Sequence, residues 1–181
     1  MNDKQYEDTT DVAKSIGLHI AVLTISDTRT EKTDSAGKLL VKRLTAAGHI
    51  LAEKCIITDN RYKVREIISR WIADENVHAI ITTGGTGLTG RDITPEAIQP
   101  LFDKEIPGFG EIFRSISFRY IKTSTIQSRA LAGVANGTPI FCLPGSPGAC
   151  KDGWDEIISC QLDSRNQPCN LVELIPRFLE S

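Results

Sequence analysis

The chain has 181 residues, with 21 Lys plus Arg against 23 Asp plus Glu, and 40% of it is hydrophobic. This size and balance suit a single domain with its own core and argue against disordered, collagen-like or low-complexity chains. A net charge of −2 lacks the basic excess of a general nucleic-acid binder, yet it is compatible with a small anion held in a locally positive pocket.

Met1 to Gly17 is polar and carries Asp3, Glu7, Asp8 and Asp11. It reads as a flexible arm ahead of one domain over 18–181. It lacks the apolar stretch of a secretory signal, and no later run is long and apolar enough for a membrane helix. The cytoplasm is the expected compartment, with no membrane partner. Cys55, Cys142, Cys150, Cys160 and Cys169 are odd in number and form no C-x-x-C pair, which argues against zinc.

His19 to Ile25 is a nearly continuous apolar and β-branched run, as expected of a strand buried on both faces of a parallel sheet. It ends in the polar loop Ser26-Asp27-Thr28-Arg29-Thr30. A helix follows from about Ser35, with Ala36, Leu40, Leu44 and Ala47 on one face and Gly48 stopping it. Ile50 to Ile57 reads as a second strand, closed by the turn Thr58-Asp59-Asn60. Val64, Ile67, Ile68, Trp71 and Ile72 then fall on one helical face.

Ala79 to Thr83 is a short third strand running straight into Gly84-Gly85-Thr86-Gly87. Thr94-Pro95-Glu96 has the form of an N-cap, a first-position proline and a first-turn acid, which starts another helix at Thr94. Pro107-Gly108 breaks the chain before Phe109, Ile112, Phe113, Ile116 and Tyr120, an amphipathic helix. Ala130 to Val134 and Ile140 to Leu143 pair as strands around Asn136-Gly137, a strong hairpin signal. After the rigid loop Pro144-Gly145-Ser146-Pro147-Gly148, a last helix carries Trp154, Ile157, Ile158 and Leu162. Alternating strands and helices imply a three-layer α/β/α sandwich around a mostly parallel sheet.

Ligands of such sheets bind beyond the carboxyl ends of the strands. The loops at Ser26, at Asp59, from Gly84 to Asp92 and from Pro144 to Ser146 all fall at that edge. Gly84, Gly85, Thr86 and Gly87 suit a phosphate nest: glycines admit close approach, successive N–H groups face an anion, and Thr86 adds a hydroxyl. The alternative is a tight turn with no ligand. Gly85-x-Gly87-x-x-Gly90 matches the dinucleotide fingerprint in letters only. It follows the third strand, Pro95 delays the helix, and the acid that should end a second strand is missing. No Gly-Lys-Ser/Thr follows, so a P-loop is excluded.

Asp59 and Asp92 are the carboxylates of interest. Two acids beside a phosphate site repel the ligand unless Mg²⁺ sits between them. The alternatives are turn capping for Asp59, and an Asx-turn or a pair with Arg91 for Asp92. Arg61, Lys63 and Arg65 crowd the start of the second helix and read as a solvated helix face, the alternative being contact with a polyphosphate. Ser117 and Arg129 are unremarkable from spacing. The cysteines read as core or neutral surface residues. His19, His49 and His78 flank strand starts, away from the ligand edge, so no histidine-based catalysis is expected.

Gly90-Arg91-Asp92-Ile93-Thr94-Pro95-Glu96-Ala97, the glycine loop before it, Pro107-Gly108-Phe109-Gly110-Glu111 and Leu143-Pro144-Gly145-Ser146-Pro147 together resemble the MoaB/Mog molybdopterin-binding family of molybdenum cofactor biosynthesis. The resemblance runs from about Leu18 to Cys169. Ser124-Thr125-Ile126-Gln127-Ser128-Arg129-Ala130 and Gln161-Leu162-Asp163-Ser164-Arg165 point to its MoaB branch.

The resemblance implies a three-layer sandwich, a homotrimer or homohexamer, and molybdopterin as ligand. One branch of the family uses Mg-ATP to adenylylate molybdopterin. There Asp59 and Asp92 would be catalytic and hold Mg²⁺, Gly84 to Gly87 would cradle phosphate, and Ser117 would contact the pterin. Ser26, Pro144, Gly145 and Ser146 complete the ligand-binding set. The alternative function is a non-catalytic oligomer that stores or transfers the pterin and needs the glycine loop but neither aspartate.

Overall fold

A computed structural model describes residues 15–180; residues 1–14 of the expected arm lie outside the described residues. The strands are β1 (His19–Ile25), β2 (Ile50–Ile57), β3 (Ala79–Thr83), β4 (Lys104–Glu105), β5 (Leu131–Ala135) and β6 (Thr138–Leu143). They form one sheet in the order β2-β1-β3-β6-β5-β4. β1 pairs in parallel with β2 and β3, and β3 with β6. β5 is antiparallel to both β6 and β4. The sheet is therefore mostly parallel, as expected, with an antiparallel flank. The two-residue edge strand β4 was not anticipated, because Lys104-Glu105 carries no apolar alternation.

The helices are α1 (Ser35–Ala46), α2 (Arg61–Ile72), α3 (Thr94–Ile98), α4 (Pro107–Ile121), α5 (Pro147–Gly153) and α6 (Ser159–Gln161). A π-helical stretch over Trp154–Ile158 joins α5 to α6, so the expected last helix is one continuous rod that starts at Pro147. Its predicted apolar residues Trp154, Ile157, Ile158 and Leu162 are all buried.

The side-chain alternation of β1 builds both layers. Ile20 and Val22 join Leu40 and Leu44 of α1, Phe113 of α4, Trp154 and Ile158 in one core. Ala21, Leu23 and Ile25 join Val64, Ile68 and Trp71 of α2 and Ala97 and Ile98 of α3 in the other. Each of these side chains larger than alanine contributes about 1.5–3 kcal/mol by leaving water. The connection from β1 through α1 runs to one side of β1, and that from β2 through α2 crosses to the other. Parallel crossovers are right-handed, so the two helices must lie on opposite faces. This reversal opens a crevice between the carboxyl ends of β1 and β3.

Asn136 and Gly137 both have positive φ, 46° and 82°, the conformation of a two-residue hairpin turn. Three local expectations are corrected. Thr94 is not the N-cap of α3; Ile93 is, and the Thr94 hydroxyl instead donates to the Gly84 carbonyl at 2.7 Å. Ala47 is exposed at the C-cap of α1 rather than on its buried face. Ile112 and Tyr120 lie outside the buried stripe of α4, which follows Phe109, Gly110, Phe113, Ile116 and Ser117.

Candidate functional site

A cavity of about 540 Å³ opens where β1, β2, β3 and β6 end. Ser26, Asp59, Gly84, Gly85, Thr86, Gly87, Asp92, Ser117, Pro144, Gly145 and Ser146 all line it. The structure thus brings every residue of the predicted catalytic and ligand-binding set to one place.

The backbone fixes the loops against each other. Ser26 N–H donates to the Ile57 carbonyl at 2.8 Å, and Gly84 N–H to Leu143 at 3.0 Å. The Thr83 hydroxyl donates to the Pro144 carbonyl at 2.9 Å. Gly84 has φ +104°, and Gly85 has φ +64°. Among the described residues, the N–H groups of Gly85 and Thr86 donate to no protein acceptor. They are the donors that an anion nest requires. Ser117 faces the cavity from α4, with Phe113 and Ile121 one turn away on either side.

Both aspartates press on the glycine loop. A side chain at Gly85 would come within 3.2 Å of Asp59 Oδ1, and one at Gly87 within 2.7 Å of Asp92 Oδ2. Asp59 caps no helix. Asn60 performs that role for α2, accepting from Tyr62 and Lys63 N–H at 3.0 and 3.1 Å. Asp59 instead donates its N–H to Asp27 Oδ1 at 3.2 Å, and among the described residues its carboxylate forms no ion pair. Burial, then the charge of Asp27, push the Asp59 carboxyl above its ordinary value, and Asp92 adds to this.

Asp92 behaves oppositely. Burial pushes it up, but the Thr89 hydroxyl and N–H, the Gly87 N–H and the Arg129 charge together hold it below its ordinary value. The Thr89 hydroxyl and N–H donate to Oδ2 at 2.6 and 2.9 Å. A local turn bond and a position in the cavity therefore coexist. The pairing with Arg91 does not occur, because Arg91 Nε donates to Asp27 at 2.9 Å.

Two further assignments change. Arg61 and Lys63 are exposed as expected, but Arg65 folds back and donates to the carbonyls of Ala97 and Glu96 at 3.1 and 2.9 Å, tying α2 to α3. Arg129, unremarkable in sequence, clamps the far end of the glycine loop. Its Nε donates to the Gly87 carbonyl at 2.7 Å, Nη2 to the Asp92 carbonyl at 3.0 Å, and Nη1 to Glu96. Its N–H donates to the Thr86 carbonyl at 3.1 Å. No spacing rule reveals such bonds, since the side-chain partners lie 33 to 42 residues away.

Arg129→Ala leaves two loop carbonyls and a glutamate without their donor. It is expected to cost about 2 kcal/mol, the scale of charged hydrogen bonds lost from a half-buried site. Arg129→Lys recovers less than half of that, because an ammonium lacks the planar fork. Urea denaturation of the two variants checks both figures. The remaining roles accord with expectation. His49 Nδ1 accepts from Leu18 N–H at 3.2 Å and His78 Nδ1 from His19 N–H at 3.1 Å, both remote from the cavity. Cys142 and Cys150 are buried, and Cys160 and Cys169 exposed. Among the described residues, no helix is long and apolar enough to cross a membrane.

Comparison with known proteins places the chain in a family. Residues 21–164 match the family model described as "Probable molybdopterin binding domain". The chain is 52% identical to the molybdenum cofactor biosynthesis protein B of Escherichia coli (strain K12) over 155 residues, 86% of this chain and 91% of that protein. It is 45% identical to the protein of the same name from Bacillus subtilis (strain 168), over 78% of this chain and 84% of that one. A crystal structure of a molybdenum cofactor biosynthesis protein B matches with a TM-score of 0.79 at 40% identity, covering 81% of this chain and 92% of that one. The tungsten cofactor synthesizing protein MoaB from Pyrococcus furiosus matches with a TM-score of 0.71 at 36% identity, covering 79% and 91%. The chain belongs to the MoaB/Mog molybdopterin-binding family of molybdenum cofactor biosynthesis proteins, in its MoaB branch.

Proposed function

We propose that the protein binds molybdopterin in this cavity and adenylylates it with Mg-ATP. The observation that carries the reading is the pair of aspartates against the glycine loop: Asp59, which caps no helix and forms no ion pair among the described residues, and Asp92, whose carboxyl is held below its ordinary value by its hydrogen bonds.

The donor set fits a hard divalent cation. Both groups are carboxylates, and the upward push on Asp59 is what a nearby cation would relieve. Among the described residues, no group of three or more His, Cys, Asp or Glu is arranged to hold a metal alone. A magnesium ion here would take its other ligands from water and substrate phosphates, as this ion usually does. When bound by Asp59 and Asp92, it would neutralise charge on the reacting phosphates.

The reaction needs little else from the protein. A terminal phosphate oxygen of molybdopterin forms a bond to the α-phosphorus of ATP, the bond to the β-phosphate oxygen breaks, and pyrophosphate leaves. A phosphate monoester is largely ionised at neutral pH, so no general base is required. The N–H groups of Gly85 and Thr86 would hold the pterin phosphate, and Ser117 would contact the pterin ring system. Ser26 and the Pro144-Gly145-Ser146 loop would close the two sides. Alignment by these rigid loops does the remaining work. We further infer a homotrimer or homohexamer from the family resemblance; exposed Ile112, Phe118, Ile121 and Ile126 give such an assembly apolar surface to bury.

The test is incubation of the protein with molybdopterin and Mg-ATP. Molybdopterin-adenylate and pyrophosphate are expected in equal amounts. Tight molybdopterin binding with neither product would overturn the transfer reading and leave a storage or carrier role.

A further inference from the structure

We propose that Arg29 binds the terminal phosphates of the nucleotide, the pair that leaves as pyrophosphate. The inference rests on the nucleotidyl-transfer reading and deepens it by orienting the triphosphate in the cavity.

The charges that line the cavity are Arg29, Arg91, Asp34, Asp59 and Asp92. Internal pairs cancel two of them. Arg91 is committed to Asp27, and Asp34 to Lys54 at 2.9 Å. What remains is lopsided: Asp59 and Asp92 stand against the glycine loop, and Arg29 stands on the loop between β1 and α1. Among the described residues, Arg29 has no carboxylate within ion-pair distance. Its guanidinium makes one hydrogen bond, Nη1 to the Thr33 carbonyl at 3.2 Å. Most of its five donors are therefore available.

The segment that carries it is held at both ends. Ser26 Oγ accepts from the N–H of Thr28 and of Arg29 at 3.2 and 3.3 Å. The N–H groups of Thr33 and Asp34 close back on the Thr30 carbonyl at 3.0 and 2.9 Å. Asp34 is itself buried and bonded to the Thr24 hydroxyl and the Gly37 N–H at 3.0 and 2.8 Å. A fixed backbone with a guanidinium whose Nε and Nη2 make no hydrogen bond among the described residues suits bidentate recognition of a phosphate. A polyanion avoids the two carboxylates except where a cation bridges them. Its free end therefore extends toward Arg29, the cavity-lining cation that forms no ion pair among the described residues. The nucleotide would lie with its α-phosphate at the aspartates and its terminal phosphates at Arg29.

The experiment is calorimetric titration of the full chain and of Arg29→Gln and Arg29→Lys with ATP, AMP and inorganic pyrophosphate, each with Mg²⁺. Glutamine keeps a donor for the Thr33 carbonyl and removes the charge. Arg29→Gln is expected to weaken ATP and pyrophosphate about tenfold, the low end for a charge-assisted pair at an exposed site, and to leave AMP unchanged. Lysine recovers part of the loss. Molybdopterin affinity is expected to stay constant in both variants. Equal losses for ATP and AMP would overturn the proposal, and so would a loss of molybdopterin binding, which would place Arg29 on the pterin phosphate. If the unaltered chain prefers ATP to AMP and Arg29→Gln keeps that preference, this inference fails and the transfer reading stands. If the unaltered chain binds neither ATP nor pyrophosphate, both fail.

Discussion

Asp92→Asn is expected to lower the rate of molybdopterin-adenylate formation by about 10²–10³, the scale seen when one electrostatic stabiliser is removed from a transition state. The substitution is close to isosteric. An amide oxygen can still accept from Thr89 N–H and hydroxyl, which bond Oδ2 at 2.9 and 2.6 Å, so the local turn survives. What disappears is the negative charge. Molybdopterin binding should hold or tighten, because an anion no longer faces that charge beside Gly87. Asp59→Asn should behave in the same way, with less effect on stability, since none of the hydrogen bonds that fix α2 passes through its carboxylate. The double variant should fall little below either single one. Two ligands of one ion act as a unit, and their losses do not add. The Mg²⁺ concentration for half-maximal rate should rise in both single variants. Full activity with unchanged Mg²⁺ dependence in Asp92→Asn would sink the metal assignment.

The sequence carries the scaffold well because its central strands β1, β3 and β6 are buried on both faces. Runs such as Ala79 to Thr83, all buried, leave no ambiguity of period for a parallel sheet to exploit. Once the strands are assigned, the sheet edge gathers the loops, and the cavity follows from topology rather than from any one residue. Misplaced details arise where tertiary contacts outbid local chemistry. Thr94 has the side chain of an N-cap, but its hydroxyl is taken by the Gly84 carbonyl ten residues back, and the cap passes to Ile93. Arg65 reads as a surface charge until two carbonyls of α3 are seen to face it. Arg129 is invisible for the same reason. Two of its side-chain partners are main-chain oxygens, which carry no residue identity, and the third, the Glu96 carboxylate, lies 33 residues away. The exchange of Arg91 from Asp92 to Asp27 depends on the meeting of two loops 64 residues apart. Local pattern describes a residue's options, and the fold chooses among them.

Substituting alanine along the glycine loop should grade the site by position, with Gly84→Ala the most damaging. Its φ of +104° is closed to side chains, and the added Cβ would lie 2.1 Å from the Ile25 carbonyl oxygen. That oxygen belongs to the end of β1 and cannot retreat without disturbing the strand. Left-handed backbone costs about 1–2 kcal/mol and overpacking about 1–3 kcal/mol. A loss of about 3 kcal/mol, or roughly 6–12 °C in Tm for a chain this size, is expected. Gly85→Ala shares the positive φ but meets the Thr94 hydroxyl, which braces the loop, at 2.5 Å and Asp59, which lines the cavity, at 3.2 Å. It should lose both stability and phosphate binding. Gly87 has no positive φ, and the atoms nearest its added Cβ are those of the Asp92 carboxylate. Gly87→Ala should therefore leave Tm almost unchanged while raising the Mg²⁺ requirement, a signature that separates displacement of the carboxylate from damage to the fold. Gly90 has open space and ordinary φ, so Gly90→Ala should be silent in both measurements. The four glycines look equivalent in the sequence, and Gly90 completes the dinucleotide-like spacing. If Gly90→Ala proved as harmful as Gly84→Ala, the loop geometry described above would be wrong. If the order Gly84, Gly85, Gly87, Gly90 holds for stability while Gly85 and Gly87 alone move ligand and metal dependence, the loop is a rigid ledge. Its first glycine seats it on β1, and its middle two face the chemistry.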